Sequence, residues 1–451
     1  MKRFLPFLAA SLLTAHPAFA GRTIAWISDQ LVQNAGSDAT DNDGGPDCRF
    51  SAGAGPYADE AFITLLRSAG FTVVRCNPPN SPNALTPADI GTLNTFDLVI
   101  LGRGTGSGAF DTAAETFAWN SSITKPLLCT NTYLSRSNRL GWFSSSAPPV
   151  QPDQLLNPLT FTAIADPVQA YLATGVALTG DTTNDTITEI INYPTTPPNN
   201  GAADIRGISL LTGSTINAGG TVHATSLNVP DGLTSPYIAS LPAGTILAVN
   251  NGTAANPAQL GPANGQELGG YRLQFLAGIR ESATSPNNGV RNAGFESFTP
   301  VGERMFLRAV ALAMNSGAVP ADADDDGLPD AWETTHFLTP AATTGLADDD
   351  GDGLVNLIEY AFNLKPTVSD ISGLAYSTAV GGLVEISITK RPYCCHVIET
   401  STDLLNWTAD DPGNDGDGLV TIVNDASTLY VRETAPLARR QFRVRVYPMP
   451  L

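Results

Sequence analysis

Eleven carboxylates crowd the span from Asp322 to Glu359, which contains no Lys or Arg. Their spacing says more than their number. Asp322, Asp324, Asp326, Gly327 and Glu333 stand at positions 1, 3, 5, 6 and 12 of a twelve-residue stretch, and Asp348, Asp350, Asp352, Gly353 and Glu359 repeat the arrangement. A hard divalent cation of calcium's size takes six to eight oxygens at about 2.3–2.6 Å, and a loop that turns sharply at a glycine supplies them from positions 1, 3, 5, 7, 9 and 12. On that scheme Leu328 and Leu354 offer backbone carbonyls. Asp330 and Asn356 stand at the ninth position, acting directly or through water, and Glu333 and Glu359 close each cage with both oxygens. The spacing predicts two Ca2+ ions. Magnesium is disfavoured because it demands a rigid octahedron and keeps its waters, and the affinity expected is the loose extracellular one, ~0.1–1 mM. An acidic solvated linker, the commonest origin of a charge run, leaves both glycines and both terminal glutamates unexplained.

The stretches DADDDGLPDAWE and DDDGDGLVNLIEYAFNLKP resemble the tandem EF-hand-like modules of secreted bacterial proteins, of the dockerin and thrombospondin type 3 kind. The resemblance covers roughly a tenth of the chain, drawn as residues 321–366. Dockerins bind a cohesin domain, and that implied partner is not expected here: Ala331, Trp332, Leu357 and Ile358 put apolar side chains at loop positions ten and eleven, where dockerins often carry polar recognition residues. A calcium-stiffened connector is the better expectation. Two further acidic clusters, Asp38–Asp47 and Asp410–Asp417, miss the template and read as turns.

A second set of polar residues needs a framework to bring it together. After the first twenty residues, strand and helix patterns alternate, which argues for a parallel sheet with helices on both faces, flavodoxin-like in class. Thr23–Ser28, Phe71–Arg75, Asp97–Leu101 and Pro126–Thr130 read as strands, and Ala58–Ser68 as a helix. Thr86 followed by Pro87 starts a second helix, and another lies near Thr112–Trp119. Thr245–Val249 and Tyr271–Leu276 look like later strands, and a helix capped by Thr299 closes the domain, drawn as 21–318. Ligands of such sheets gather beyond the carboxyl ends of the strands. That edge would carry Asp29, Arg103, Asn131, Tyr133 and Arg136, a set suited to a polar or anionic ligand because guanidinium groups fork onto carboxylates and phosphates. Mutual bonding and loop capping is the plainer role for the same residues. Gly102–Gly108 lacks the Lys-Ser/Thr ending of a phosphate loop, and Ser107 comes one place too late for a nucleophile elbow.

Through DLVILGRGTGSG and KPLLCTNTYLSRSNRLGWF the domain resembles the class I glutamine-amidotransferase-like fold, including its trehalose-utilisation (ThuA-like) branch. That fold places a cysteine on the turn after the third strand. Here the turn is Gly102–Gly108 with no cysteine, so the triad chemistry of amidotransferases is not expected, while a carbohydrate-related binding role stays open.

Beyond about Leu374 the periodicity falls to two, with Leu383–Thr389, Val397–Ser401, Leu419–Val423, Leu429–Arg432 and Phe442–Val446 predicted as strands of a small β-sandwich spanning 371–451. It resembles modules that end many secreted proteins of environmental bacteria, through Val397–Trp407 and Arg439–Val444. Trp407 would serve either as core or as a sugar platform.

Lys2 and Arg3, the apolar run Phe4–Leu13, and Ala18-Phe19-Ala20 ahead of Gly21 have the layout of a secretory signal cleaved after Ala20. The run is too short to span a bilayer, so the mature chain is expected outside the cytoplasm. A formal charge of -19 opposes binding to nucleic acid or to anionic membranes. Five cysteines do not make a disulfide scaffold. Cys48 and Cys76 are placed to pair, Cys129 reads as a buried thiol, and Cys394 and Cys395 face opposite ways. The expected function is non-catalytic recognition or adhesion, with a glycan or cell-surface component as partner. The alternative is an extracellular hydrolase or carbohydrate-active enzyme working at the sheet edge.

Overall fold

A computed structural model describes residues 22–28, 59–69, 71–76, 85–149, 159–174, 176, 178–179, 186–187, 208–228, 232–248, 261–278, 298, 300–319, 322, 326–339, 342–369, 374–378, 383–391, 394–401, 404–405, 408–409, 419–424, 428–433 and 441–448. The signal-like segment, Asp29, Cys48, Thr299, Asp324 and both off-template acidic clusters lie outside the described residues.

The first part of the chain is an α/β unit. In order it carries β1 (Thr23–Ile27), α1 (Glu60–Ser68), β2 (Thr72–Cys76), α2 (Pro87–Leu93), β3 (Leu98–Leu101), α3 (Ala113–Phe117), β4 (Leu127–Cys129), α4 (Thr132–Ser135), β5 (Leu159–Phe161) and α5 (Pro167–Ala173). Then come β6 (Leu178–Thr179), β7 (Thr186–Ile187), β8 (Thr221–Asn228), β9 (Leu233–Leu241), β10 (Arg272–Phe275) and α6 (Pro300–Met314). The sheet runs β2-β1-β3-β4-β10-β9-β8-β5-β7-β6. Its first five strands are parallel, and from β9 onward each pairing is antiparallel, so the sheet is mixed and the expectation of a wholly parallel one is corrected. The cause is the hairpin β8–β9, which returns directly without a helical crossover.

Alternation along β1 sends Ile24 and Trp26 to one face and Ala25 and Ile27 to the other. The first face packs under α1, α5 and α6, through side chains such as Phe62, Leu172 and Phe306. The second packs under α2 and α4, through Leu93 and Leu134. Helix starts follow local chemistry. Thr86 and Thr112 each cap by accepting from the N–H three residues on, while Asp89 and Glu115 reach back to the cap N–H groups, and Pro87 occupies the first turn of α2. Of the segment read as Thr245–Val249, the described residues 245–248 form no strand and contribute a single bridge, Ile246 to Glu267. Cys76 is disulfide-bonded, and Cys129 is a buried free thiol whose pKa burial pushes up to about 12.

Two short helices follow, α7 (Asp330–Phe337) and α8 (Asn356–Phe362), then β11 (Leu374–Thr378), β12 (Val384–Thr389), β13 (Cys394–Ser401), β14 (Thr408–Ala409), β15 (Leu419–Asn424), β16 (Thr428–Glu433) and β17 (Gln441–Pro448). These strands form two antiparallel sheets, β11-β12-β16-β15 and β14-β13-β17. Their inward side chains do not close a core alone. Ile386, Ile388, Ile398, Leu429 and Val431 belong to one buried cluster with Leu328, Trp332, Tyr360, Ala361 and Phe362 of the helical segment. The acidic segment and the β-sandwich therefore share a core. Among the described residues no helix is long and apolar enough to cross a membrane.

Candidate metal centre

The two acidic loops are wired alike. Asp322 accepts the Asp326 N–H on Oδ1 (3.2 Å) and the Gly327 N–H on Oδ2 (3.0 Å), and Asp326 Oδ1 accepts the Leu328 N–H (2.8 Å). Twenty-six residues on, Asp348 accepts from Asp352 (3.2 Å) and Gly353 (3.0 Å), and Asp352 accepts from Leu354 (2.9 Å). The first and fifth side chains thus fold the loop around themselves. The turn needs a backbone that L-residues resist: Gly327 has φ 92° and Gly353 φ 97°. Each loop passes into a helix at its ninth position, Asp330 opening α7 and Asn356 opening α8. Glu333 and Glu359 then sit in the first helical turn, where carboxylates meet the positive end of the helix, and both are fully buried.

In the second loop the carboxylates converge. Oxygens of Asp348, Asp350 and Asp352 all lie within 4.8 Å of one another. Glu359 stands outside that close group, one helical turn along α8. Asn356 spends its amide N–H groups on Thr343 Oγ1 (2.8 Å), the Thr344 carbonyl (3.0 Å) and Asp349 Oδ2 (2.7 Å). Thr343 also donates to Asp349. This holds Asp349, at position two, away from the cage. Asn356 Oδ1 and Asp350 Oδ2 are buried acceptors with no hydrogen-bond donor among the described residues. An acceptor buried without a donor costs about 1–3 kcal/mol, a cost that a coordinated cation would remove. The donor set is all oxygen, the chemistry that suits calcium rather than a soft metal.

The loops also pack on each other. A Cβ at Gly345 would come within 2.6 Å of the Asp326 carbonyl, and one at Gly327 within 3.4 Å of Leu357. Trp332 and Tyr360 meet edge to face at 5.5 Å. Of the four apolar residues at positions ten and eleven, Trp332, Leu357 and Ile358 pack against the shared core, and Ala331 is exposed.

In comparisons with family models, curated proteins and solved structures, nothing matches.

Sequence reasoning missed the residues that anchor α8. Arg391 donates its backbone N–H to the Ala361 carbonyl (2.9 Å) and Nε to the Tyr360 carbonyl (2.8 Å), and its guanidinium lies 4.6 Å over the Tyr360 ring. His396 on β13 bonds the Ala361 carbonyl through Nε2 (3.0 Å) and meets Phe362 edge to face at 5.0 Å. No spacing signal marks either residue, because their partners are backbone carbonyls.

The other candidate set is brought together but covered. Asn131 donates to the carbonyls of Arg103 (3.1 Å) and Thr105 (2.9 Å) and accepts from the Tyr133 N–H (3.0 Å), so its amide brackets the Gly102–Gly108 turn. Arg103 and Arg136 lie over the Tyr133 ring, at 5.0 and 5.3 Å. Arg103 also reaches Ser209 Oγ (3.3 Å), and Arg136 donates to the Tyr133 carbonyl (3.0 Å). All three residues are buried, and burial, with Arg139 nearby, lowers the Arg136 pKa. Gly102 is required by contact rather than by a ligand: its Cβ would sit 2.9 Å from Trp26 Nε1 and 3.0 Å from the Ile27 carbonyl. A serine and a histidine do meet in this unit, Ser240 Oγ and His223 Nε2 at 2.9 Å. Both are buried between β8 and β9, and burial holds the histidine pKa below its ordinary value despite Asp166.

Proposed function

We propose that this is a calcium-binding protein of the extracellular space that takes two Ca2+ ions, one in each acidic loop. The observation that carries the reading is the convergence of Asp348, Asp350 and Asp352 in a loop whose wiring repeats that of Asp322–Glu333. Asp322, Asp324, Asp326, Asp330 and Glu333 would hold one ion with the Leu328 carbonyl. Asp348, Asp350, Asp352, Asn356 and Glu359 would hold the other with the Leu354 carbonyl. The ions would neutralise crowded carboxylates and stiffen the turn; no bond-making chemistry is assigned to them. The order β2-β1-β3-β4-β10 supports reading the α/β unit as flavodoxin-like, in keeping with an amidotransferase-like ancestry. The covered state of Arg103, Asn131 and Arg136 counts against hydrolysis at that edge, and recognition or adhesion, with a glycan or cell-surface partner engaged elsewhere on the chain, is the reading we keep. The test is thermal unfolding of the full chain in calcium and in magnesium. Saturating calcium at about ten to a hundred times Kd should stabilise the metal-binding part by about 1.4–2.7 kcal/mol per site. Equal effects of the two ions would refute the assignment.

A further inference from the structure

The contacts of α8 lead from the second loop into the sandwich. At seven residues the helix is too short to persist unaided. Its first turn carries Asn356 and Glu359, and the next two residues deliver their carbonyls to the sandwich, Tyr360 to Arg391 Nε and Ala361 to the Arg391 N–H and His396. The last carbonyls of a helix lack intrahelical partners; here Asn363 and Leu364 bond those of Tyr360 and Glu359 from within the chain's own turn, and the sandwich adds a second donor to Tyr360 and the donors to Ala361. Tyr360 is held on both sides, by Trp332 of α7 and by the Arg391 guanidinium. Beneath it, Leu328 of the first loop and Trp332 fill the same core as Ile386, Ile388 and Ile398. Neither body buries its apolar face without the other.

We infer that the calcium loops and the β-sandwich are one cooperative folding unit, in which calcium in the loops sets the stability of the sandwich through α8, Arg391 and His396. This rests on the calcium assignment above and extends it: the metal switches the sandwich between a docked, ordered state and a loosened one. By linkage, whatever the metal does for the sandwich, the sandwich does for the metal. The chain would then present a rigid sandwich where calcium is abundant and a loosened one where it is scarce.

The experiment is hydrogen exchange of the full chain with calcium and after chelation, alongside calorimetric titration of the same chain. At calcium about ten times Kd, the amides of β12 and β13 should exchange about tenfold more slowly than after chelation. Those of β1 and β3 should not change. Calcium uptake in the calorimeter with unchanged exchange in β12 and β13 would overturn the coupling and leave the calcium assignment standing. No calcium uptake would overturn both. Arg391→Lys keeps the charge and the backbone contact but removes the Nε bond to Tyr360. It should weaken calcium binding about threefold or more, and an unchanged affinity would count against transmission through this residue. The exchange measurement on the unaltered chain decides the proposal even if the variant misfolds.

Discussion

Asp59 stands just before α1 with both carboxylate oxygens engaged, Oδ1 by Arg75 Nη1 and Oδ2 by Trp26 Nε1, each at 2.6 Å. Arg75 is 0 % exposed and Asp59 1 %, and a second carboxylate on the guanidinium, Glu60 at 2.9 Å, is 31 % exposed. Burial works against the Arg75 charge, but Asp59 and Glu60 more than offset it, and the pKa ends above its ordinary value. Asp59→Ala removes the inner partner of a buried cation and leaves the indole N–H without its acceptor. Stranding a buried charge costs about 3–5 kcal/mol, and an unsatisfied donor about 1–3 kcal/mol. Glu60 stays, and the two terms overlap, so the expected loss is about 4 kcal/mol. Asp59→Asn, which still offers the indole an acceptor, should lose about 2–3 kcal/mol. With a urea dependence of about 2 kcal/mol/M, the alanine variant's midpoint moves down by about 2 M, followed by tryptophan fluorescence. The same indole underlies Gly102, so exchange at Thr105 should quicken. A loss under about 1 kcal/mol would refute the claim that the pair is desolvated and mutually dependent.

Asn131→Ala removes three hydrogen bonds, two of them buried, and should cost about 2–4 kcal/mol in chemical denaturation; a negligible cost would return this residue to the pool of ligand-binding groups. Gly345→Ala drives a Cβ against the Asp326 carbonyl at 2.6 Å, an overpacking worth about 1–3 kcal/mol, and should weaken calcium binding about tenfold as measured by calorimetry. His223 has a lowered pKa in the fold, so the unfolded chain takes up the proton first. Stability is therefore greatest above the ordinary histidine range and falls as pH drops below it, and His223→Gln should flatten that part of the pH profile.

Position-specific chemistry was legible and surface-wide packing was not. The calcium template fixes residue types at set intervals, and Gly327 and Gly353 take up the turn role their positions imply; the helices that open at Asp330 and Asn356 were not read from the sequence. The cap signal at Thr86 worked for the same reason, since Pro87 follows it directly at the first helical position. The hairpin β8–β9 escaped notice because TVHATSLN and LTSPYIASL mix polar residues with few apolar ones, and Pro236 interrupts the second strand where the ladder also shifts register. That hairpin, with the short antiparallel strands β5, β7 and β6 beyond it, turned an expected parallel sheet into a mixed one. At the sheet edge Arg103, Asn131 and Arg136 gather in the bonding and loop-capping arrangement that was the plainer of the two readings, and Asn131 is satisfied by carbonyls that a sequence does not reveal. The shared core was hidden because Trp332 and Tyr360 pack against strands whose own periodicity already suggested a complete sandwich.

Equilibrium dialysis of the full chain against calcium, with Glu359→Gln in parallel, addresses the central claim most directly. The full chain is required because the loops share their core with the sandwich. Two ions should bind per chain with Kd ~0.1–1 mM, calcium should be preferred to magnesium, and the variant should keep one ion in that range. No saturable uptake at millimolar calcium, or two ions still bound equally well by the variant, would contradict the account.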